Sequence, residues 1–529
     1  MNRIEMQRRI GARADGADMI IIGGGATGIG VAIDAASRGW SVVLFEQSDF
    51  GKGTSSRSTK LIHGGVRYLQ QGNVPLVMEA LKERGILRTN APHLVHDLPF
   101  VVPNYQWWEA PFYGIGMRVY DALAGKYGFG PSRNLSKEET IRLIPTIETE
   151  GLRGGVIYHD GQFDDARLLI NMAETAAGQG AALLNHAPVV SLVRDADGYT
   201  TGVVARDAET GDEYRVNGRV VINCTGVFTD ALRRMDEPSA APLIRPSQGV
   251  HVVLDRSFMP GKSAIMVPHT DDGRVLFAIP WHGRVLIGTT DTPVAEPSLE
   301  PVPLEEEVDF ILSHAARYLT KDPVRSDAFS VFAGLRPLVA PDGGAGETSA
   351  ISREHTITVS RSGLVTVAGG KWTTYRRMAE DAVDHAALLA GLETRECVTR
   401  ELDIHGIHRH ASQFGDLAHY GSDAIEIEAL LASRDDWSEP LHPRLHARAG
   451  EVVWAVRNEM ARTVDDFLAR RTRALILDAR AAIEAAPRVA SLMAEELDRN
   501  TAWRDAQVQS FRALASHYLP ADAEGRSSA

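Results

Sequence analysis

Residues 54–68 read TSSRSTKLIHGGVRY, a stretch with little to bury and much to bind. Its hydroxyls, on Thr54, Ser55, Ser56, Ser58 and Thr59, can donate to phosphate or carbonyl oxygens. Lys60 and Arg67 bring positive charge, and His63 brings a group that changes protonation near neutral pH. Gly64 and Gly65 free the backbone, and Tyr68 closes the run with a phenol. This combination suits an anionic ligand: phosphates held at one end, a charged substrate met at the other.

The elements just upstream say which ligand. Residues 19–22 read as a short apolar strand, residues 29–37 as a helix ended by Gly39, and residues 41–45 as a second strand. Between the first strand and the helix lies Gly23-x-Gly25-x-x-Gly28, with Ala26 and Thr27 inside it. The first glycine permits a tight turn and the second lets backbone N–H groups approach a pyrophosphate. The third lets helix and strand pack closely. The helix N-terminus adds partial positive charge. Glu46 ends the second strand, 23 residues after Gly23, where a carboxylate accepts from a ribose diol. This is a dinucleotide-binding βαβ unit. The second strand leads into the hydroxyl-rich loop rather than into another plain βα unit. Two distant strand ends, 223–226 (NCTG) and 369–371 (GGK), offer small residues where backbone meets a cofactor. A long dinucleotide touched by several strand ends favours FAD over a nicotinamide.

Further along, residues 167–178 read as a helix. Alternation at 189–193, 203–206 and 213–216 reads as antiparallel strands, and 220–223 as a buried strand. Strands recur at 251–254, 264–267, 275–279 and 285–288, which suggests a second, antiparallel-sheet unit. Helices are expected at 305–318 and 374–389, a strand at 364–368, and helices throughout beyond about residue 396.

The chain has 529 residues and a formal charge of -13, which disfavours nucleic acid as a partner. Two cysteines, Cys224 and Cys397, build no disulfide framework and fit a reducing cytoplasm. No apolar run approaches the roughly 20 residues needed to cross a bilayer. Residues 1–16 read as a mobile tail, or alternatively as a weak membrane-surface arm with Ile4 and Ile10 among arginines. Residues 516–529 also read as a tail.

The chain resembles the FAD-dependent, quinone-linked glycerol-3-phosphate dehydrogenases, close to the mitochondrial-type branch. GGGATG, DAASRG, TSSRSTKLIHGGVRYL, APHLVHDLPF, YHDGQFDDARL, SQGVHVVL, PWHGRVLIGTTDT, GLRPL, ISREHTITV and GGKWTTYRRMAEDAVD carry the resemblance, in order, from residue 18 to about 385. The helical remainder resembles the family's C-terminal domain. No EF-hand-like calcium loop is present, and no metal is expected.

The resemblance implies an α/β plus α+β fold. A glutathione-reductase-type FAD-binding Rossmann domain (17–90, 150–245, 326–395) would be interleaved with an antiparallel-sheet substrate domain (91–149, 246–325). A C-terminal helical domain (396–515) would follow. FAD is then expected on Gly23, Gly25, Ala26, Thr27, Gly28, Glu46, Thr54, Ser55, Ser56, Ser58, Lys60, Leu61, His63 and Gly64. Val190, Thr225, Gly226, Gly370, Lys371 and Thr373 complete that set. The substrate would be sn-glycerol 3-phosphate, on Arg67, Tyr68, His251, Arg336, Arg353 and Lys371. Its C2 hydride would pass to flavin N5, giving dihydroxyacetone phosphate, with electrons going to a membrane quinone. Arg336 and Lys371 would stand at the reacting end, and either His251 or His63 is the candidate base. The rivals are an oxidase passing electrons to oxygen and a non-catalytic flavin-bound anion sensor. Oxidases of this family carry an insertion for which the stretch between GTTDT and GLRPL has no room. A quinone acceptor implies peripheral contact with the inner face of the cell membrane. Arg470, Arg471 and Arg473 are candidates for lipid contact, unless they form a solvated face. A homodimer is possible.

Overall fold

The computed structural model describes residues 1–70, 72–268, 270–271, 273–340 and 354–520, and only the backbone of Arg67 and Gln70. Two sheets organise the chain. The first has a parallel core, in the order Val365–Gly369, Glu213–Asn223, Ala17–Ile22, Val42–Phe45, Ala182–Leu184. Met19–Ile22 and Val42–Phe45 are buried throughout, the unbroken apolar run of strands covered on both faces. Helices Ala26–Ser37, Asp165–Gly178 and Tyr375–Leu389 supply cover. The two strands expected at 213–216 and 220–223 are one, because Asn217 and Gly218 keep pairing, with Gly202 and Ala17.

The second sheet is largely antiparallel. Ile244–Asp255 pairs along its length with Ala328–Val339 and also with Arg284–Gly288. The sheet continues through Leu276–Trp281, Ala264–Val267, Val95–Asn104 and Gly154–Phe163 to the short strand Leu61–Ile62. Gly154–Phe163 and Ala328–Val339, grouped by sequence with the FAD-binding segments, therefore pair into the other sheet. The chain crosses between sheets just after the Thr54–Ser56 turn, so residues 54–62 lie at the seam.

Two expectations about charged segments are overturned. Residues 1–16 are not a tail: helix Arg3–Gly11 buries Met6 and Ile10. Arg3 donates to the Asn185 carbonyl at 2.8 Å and to Asp207 at 2.9 Å and so docks the helix, while Ile4 and Arg8 stay exposed. Tyr518, placed in the other tail, is also buried.

Arg470, Arg471 and Arg473 meet neither lipid nor solvent. Each is at most 3% exposed at the side chain, and carboxylates from distant segments converge on them. Asp49 accepts from Arg470 Nε at 2.5 Å and from Arg471 at 2.6 and 3.0 Å. Arg473 Nε lies 2.9 Å from Asp164. Buried guanidinium groups persist where charge and hydrogen bonds are both met. Here they clamp the C-terminal helices onto the nucleotide-binding half.

Candidate active site

A cleft of about 280 Å³ opens where the parallel strands end. Gly23 has φ 108°, and a Cβ there would lie 2.5 Å from the Cys224 carbonyl oxygen. A Cβ on Gly28 would lie 1.9 Å from the Gly23 oxygen, so the turn closes only with glycine at both. Gly25 caps the following helix and lines the cleft with Ala26 and Thr27. Glu46 stands at the strand end, its carboxylate accepting from Gly24 N at 2.6 Å and Ser48 N at 2.8 Å. Burial pushes its pKa up, and those two backbone donors oppose the rise.

The hydroxyl-rich loop is stitched to this turn. Ser55 Oγ accepts from Ala26 N at 3.0 Å, the Ser55 carbonyl accepts from Trp372 Nε1 at 2.8 Å, and Thr54 Oγ1 donates to the Leu335 carbonyl at 2.6 Å. Thr54, Ser55, Thr225, Gly226, Gly370 and Lys371 join the glycine turn around the cleft. The far strand ends thus come to the cofactor turn, as their small residues suggested.

Three expected cofactor ligands point elsewhere. Lys60 is fully buried, donating to both Asp165 oxygens at 2.8 Å and to the Ser56 carbonyl at 2.7 Å. It braces the loop from behind. Ser58 Oγ donates to the same Asp165 at 2.7 Å. Val190 falls in a bulge between Val189 and Ser191 and turns to solvent, and it is Val189 that lines the cleft. Ser56, Leu61, His63, Gly64 and Thr373 lie beyond the cleft lining. His63 N donates to Thr373 Oγ1 at 3.3 Å and Gly64 N to Tyr120 Oη at 2.7 Å.

Two cations stand at the cleft, Lys371 in its lining and Arg336, which lies 3.4 Å from Asp291 and precedes the lining residue Pro337. Lys371 Nζ stands 3.7 Å over the Tyr68 ring, a cation–π distance. Arg336 is directly opposite Ser247 across the second sheet and donates to the Thr290 carbonyl at 3.1 Å and Thr289 Oγ1 at 3.3 Å. On the same sheet His251 pairs with Phe332, and the two rings stack at 4.8 Å. His251 Nε2 lies 3.0 Å from Thr59 Oγ1. Burial, then the Lys60 and Arg336 charges, drive its pKa well below the usual histidine value, so its ring is neutral. Arg353 and the Arg67 side chain lie outside the described residues.

A family model described as FAD dependent oxidoreductase matches residues 18–376, and one described as the C-terminal domain of alpha-glycerophosphate oxidase matches residues 365–507. A mitochondrial glycerol-3-phosphate dehydrogenase of Arabidopsis thaliana is 43% identical over 529 residues, covering 91% of this chain and 83% of its own. The human mitochondrial glycerol-3-phosphate dehydrogenase is 40% identical, covering 95% and 73%. The chain belongs to the FAD-dependent glycerol-3-phosphate dehydrogenases. Among solved structures, a Bacillus halodurans glycerol-3-phosphate dehydrogenase complexed with FAD is 29% identical, with a TM-score of 0.81 over 100% of both chains.

FAD is therefore this dehydrogenase's cofactor, and the residues fit it. The glycine turn leaves no room for side chains where a pyrophosphate would approach, and Glu46 ends the adjoining strand. Trp372 and Val189 are lining residues that sequence reading passed over. Trp372 stands directly after the GGK that was singled out, so its place was readable. The bulge that turns Val189 inward has no signature in the residue types.

Proposed function

We propose that the chain oxidises sn-glycerol 3-phosphate at C2 to dihydroxyacetone phosphate and passes the electrons to a membrane quinone. The observation that carries this reading is the continuity of the two halves. Lys371 lines the FAD cleft and also stands on Tyr68, and Pro337, the residue after Arg336, lines the same cleft. A phosphate dianion and an ionising alcohol both need permanent cations, and at the alcohol Arg336 supplies a fork and Lys371 a point charge. Arg67 and Arg353 are assigned to the phosphate. FAD supplies a two-electron acceptor for the hydrogen at C2.

The protein's part is to hold the alcohol, favour its ionised form and take its proton. Lys371 and Arg336 stabilise negative charge developing on the C2 oxygen. We assign the base to His251 rather than His63. Its ring is neutral at working pH, and its Nδ1 has no hydrogen-bond partner among the described residues. Neighbouring cations make this imidazole a weak base, which fits a substrate proton already made labile. The purified protein should be yellow, and glycerol 3-phosphate added without oxygen should bleach the flavin band. Persistent colour would overturn the substrate. Rapid recolouring by air with peroxide would move the enzyme to the oxidases.

For the quinone, contact with a bilayer is assigned to helix Glu109–Ala124. Trp108, Phe112, Ile115 and Val119 recur at helical spacing on one exposed face, with Trp107 beside them, while Tyr113, Met117 and Tyr120 are buried on the other. Exposed tryptophan and phenylalanine favour the headgroup boundary. No described helix is long and apolar enough to cross a membrane. Wild-type protein should float with liposomes, and Trp108→Ser/Phe112→Ser should stay in the dense fraction. Equal flotation of both would place lipid contact on another surface.

A further inference from the structure

A second cavity among the described residues is larger than the cofactor cleft. About 660 Å³ of space lies between the second sheet and the C-terminal helices. Its walls come from residues 92–96, the strand end at Gln162–Asp164, the hairpin at Trp281–Arg284, and several C-terminal turns. Phe163, on its wall, packs edge-on against Trp372 at 5.1 Å, and Trp372 lines the cofactor cleft. One layer of rings separates the two spaces.

The lining is rich in nitrogen. Arg284, Arg409, Arg444 and Arg473 surround the cavity, with His93, His282 and His419 among its histidines. The facing carboxylates are Asp164, Asp416, Glu451 and Asp478. Their charge is largely committed or reduced. Asp164 is held by Arg473 at 2.9 Å and His282 at 3.0 Å. Asp478 uses one oxygen to cap a helix, accepting from Ala481 N at 3.0 Å. Its other oxygen is shared by Arg284 and Arg444, each at 3.5 Å, and has no hydrogen-bond partner. Burial pushes the Glu451 carboxyl up to about 7, which removes about half its charge near neutrality. His93 Nδ1 and His419 Nε2 are buried without partners among the described residues. Arg284 and Arg444 meet carboxylates only at 3.5–3.9 Å, from Asp478 and, respectively, Asp255 and Glu484, beside imidazoles with unused capacity. The flavin reaction uses none of these groups.

We propose that this cavity is a second binding site, for a small multiply charged phosphate, inorganic or organic, distinct from the substrate site. Oxygens of such an anion replace the long contacts to Asp478 with direct N–H donors from Arg284 and Arg444. Occupancy reaches the cofactor side through two adjacent residues. Asp164 holds the cavity-side cations, and Asp165 holds Lys60 under the hydroxyl-rich loop. The cavity is thus placed to tune the dehydrogenase.

The test is equilibrium dialysis of the FAD-loaded protein with radiolabelled inorganic pyrophosphate, at excess glycerol 3-phosphate and without an electron acceptor. Unlabelled glucose 6-phosphate in a parallel arm separates organic from inorganic ligands. One saturable site should remain under excess substrate, and Arg284→Gln/Arg444→Gln should weaken it at least tenfold while its flavin spectrum before substrate addition matches that of wild type. If that variant loses FAD, Arg409→Gln on the exposed rim reads the same site, with a several-fold loss expected. Competition by glucose 6-phosphate would assign the site to organic phosphates, and its failure to inorganic ones. Absence of saturable binding under excess substrate, or wild-type affinity in the variants, would overturn the proposal.

Discussion

Replacing Lys60 separates a brace from a ligand. Asp165 is fully buried, and its carboxylate accepts two hydrogen bonds from Lys60 at 2.8 Å, two from Ser58, from Oγ at 2.7 Å and N at 3.1 Å, and one from Ala166 N at 2.8 Å. Lys60→Met removes the counter-charge and leaves a buried carboxylate with neutral donors only. Breaking one half of a buried pair costs about 3–5 kcal/mol. The strain falls on residues 54–60, of which Thr54 and Ser55 line the FAD cleft. If about 3 kcal/mol of it is charged to the bound loop, FAD affinity drops roughly a hundredfold, at 1.4 kcal/mol per decade. Lys60→Met/Asp165→Asn removes both charges, and neutral replacement of a buried pair is often tolerated. The double variant should therefore recover most of the lost affinity. Quenching of FAD fluorescence on titrating the apoprotein measures both constants. Equal weakening in the single and double variants would refute the brace and make Lys60 a phosphate ligand. Wild-type affinity in Lys60→Met would show that the pair does not support the loop.

Two further outcomes follow from buried charge. Arg471→Met strands Asp49 between fewer cations and should destabilise the protein by about 3–5 kcal/mol, read as faster thermal inactivation with loss of FAD. Glu451→Gln tests a raised carboxyl. A folded pKa of about 7 against 4.5 means the native state binds the extra proton between those values, so this group's contribution weakens as pH rises from about 4.5 to about 7. The variant should gain on wild type across that window by up to about 3 kcal/mol and run parallel above it. A constant offset in denaturation midpoints from pH 5 to pH 8 would contradict the raised value.

Local pattern carried the dinucleotide unit, because a strand, three glycines and a terminal acid are a short-range signal. It carried the strand at 364–368 and the small residues after it, for the same reason. It did not carry the partners of charged side chains. Arg470 and Arg471 looked like a polar helix face because Asp49 stands more than four hundred residues earlier. Lys60 looked like a phosphate ligand because its counter-charge, Asp165, belongs to a helix beyond the next strands. Val190 turns its side chain to solvent because a bulge changes which side chain faces inward. Which face of helix Glu109–Ala124 stays outside is likewise set by packing, through the burial of Tyr113, Met117 and Tyr120.

The pairing order of the first sheet also governs how the chain can be born. Ala17–Ile22 finds its neighbour Glu213–Asn223 about two hundred residues later, and that strand waits for Val365–Gly369. At about 5–20 residues per second, the first strand leaves the ribosome some tens of seconds before its sheet can close. Until then its edge and its apolar run are open to the wrong neighbours. FAD cannot be gripped from all sides until residues 369–372 arrive, so loading waits until about two thirds of the chain is made. Nascent chains stalled before that point should be held by chaperones and carry no flavin.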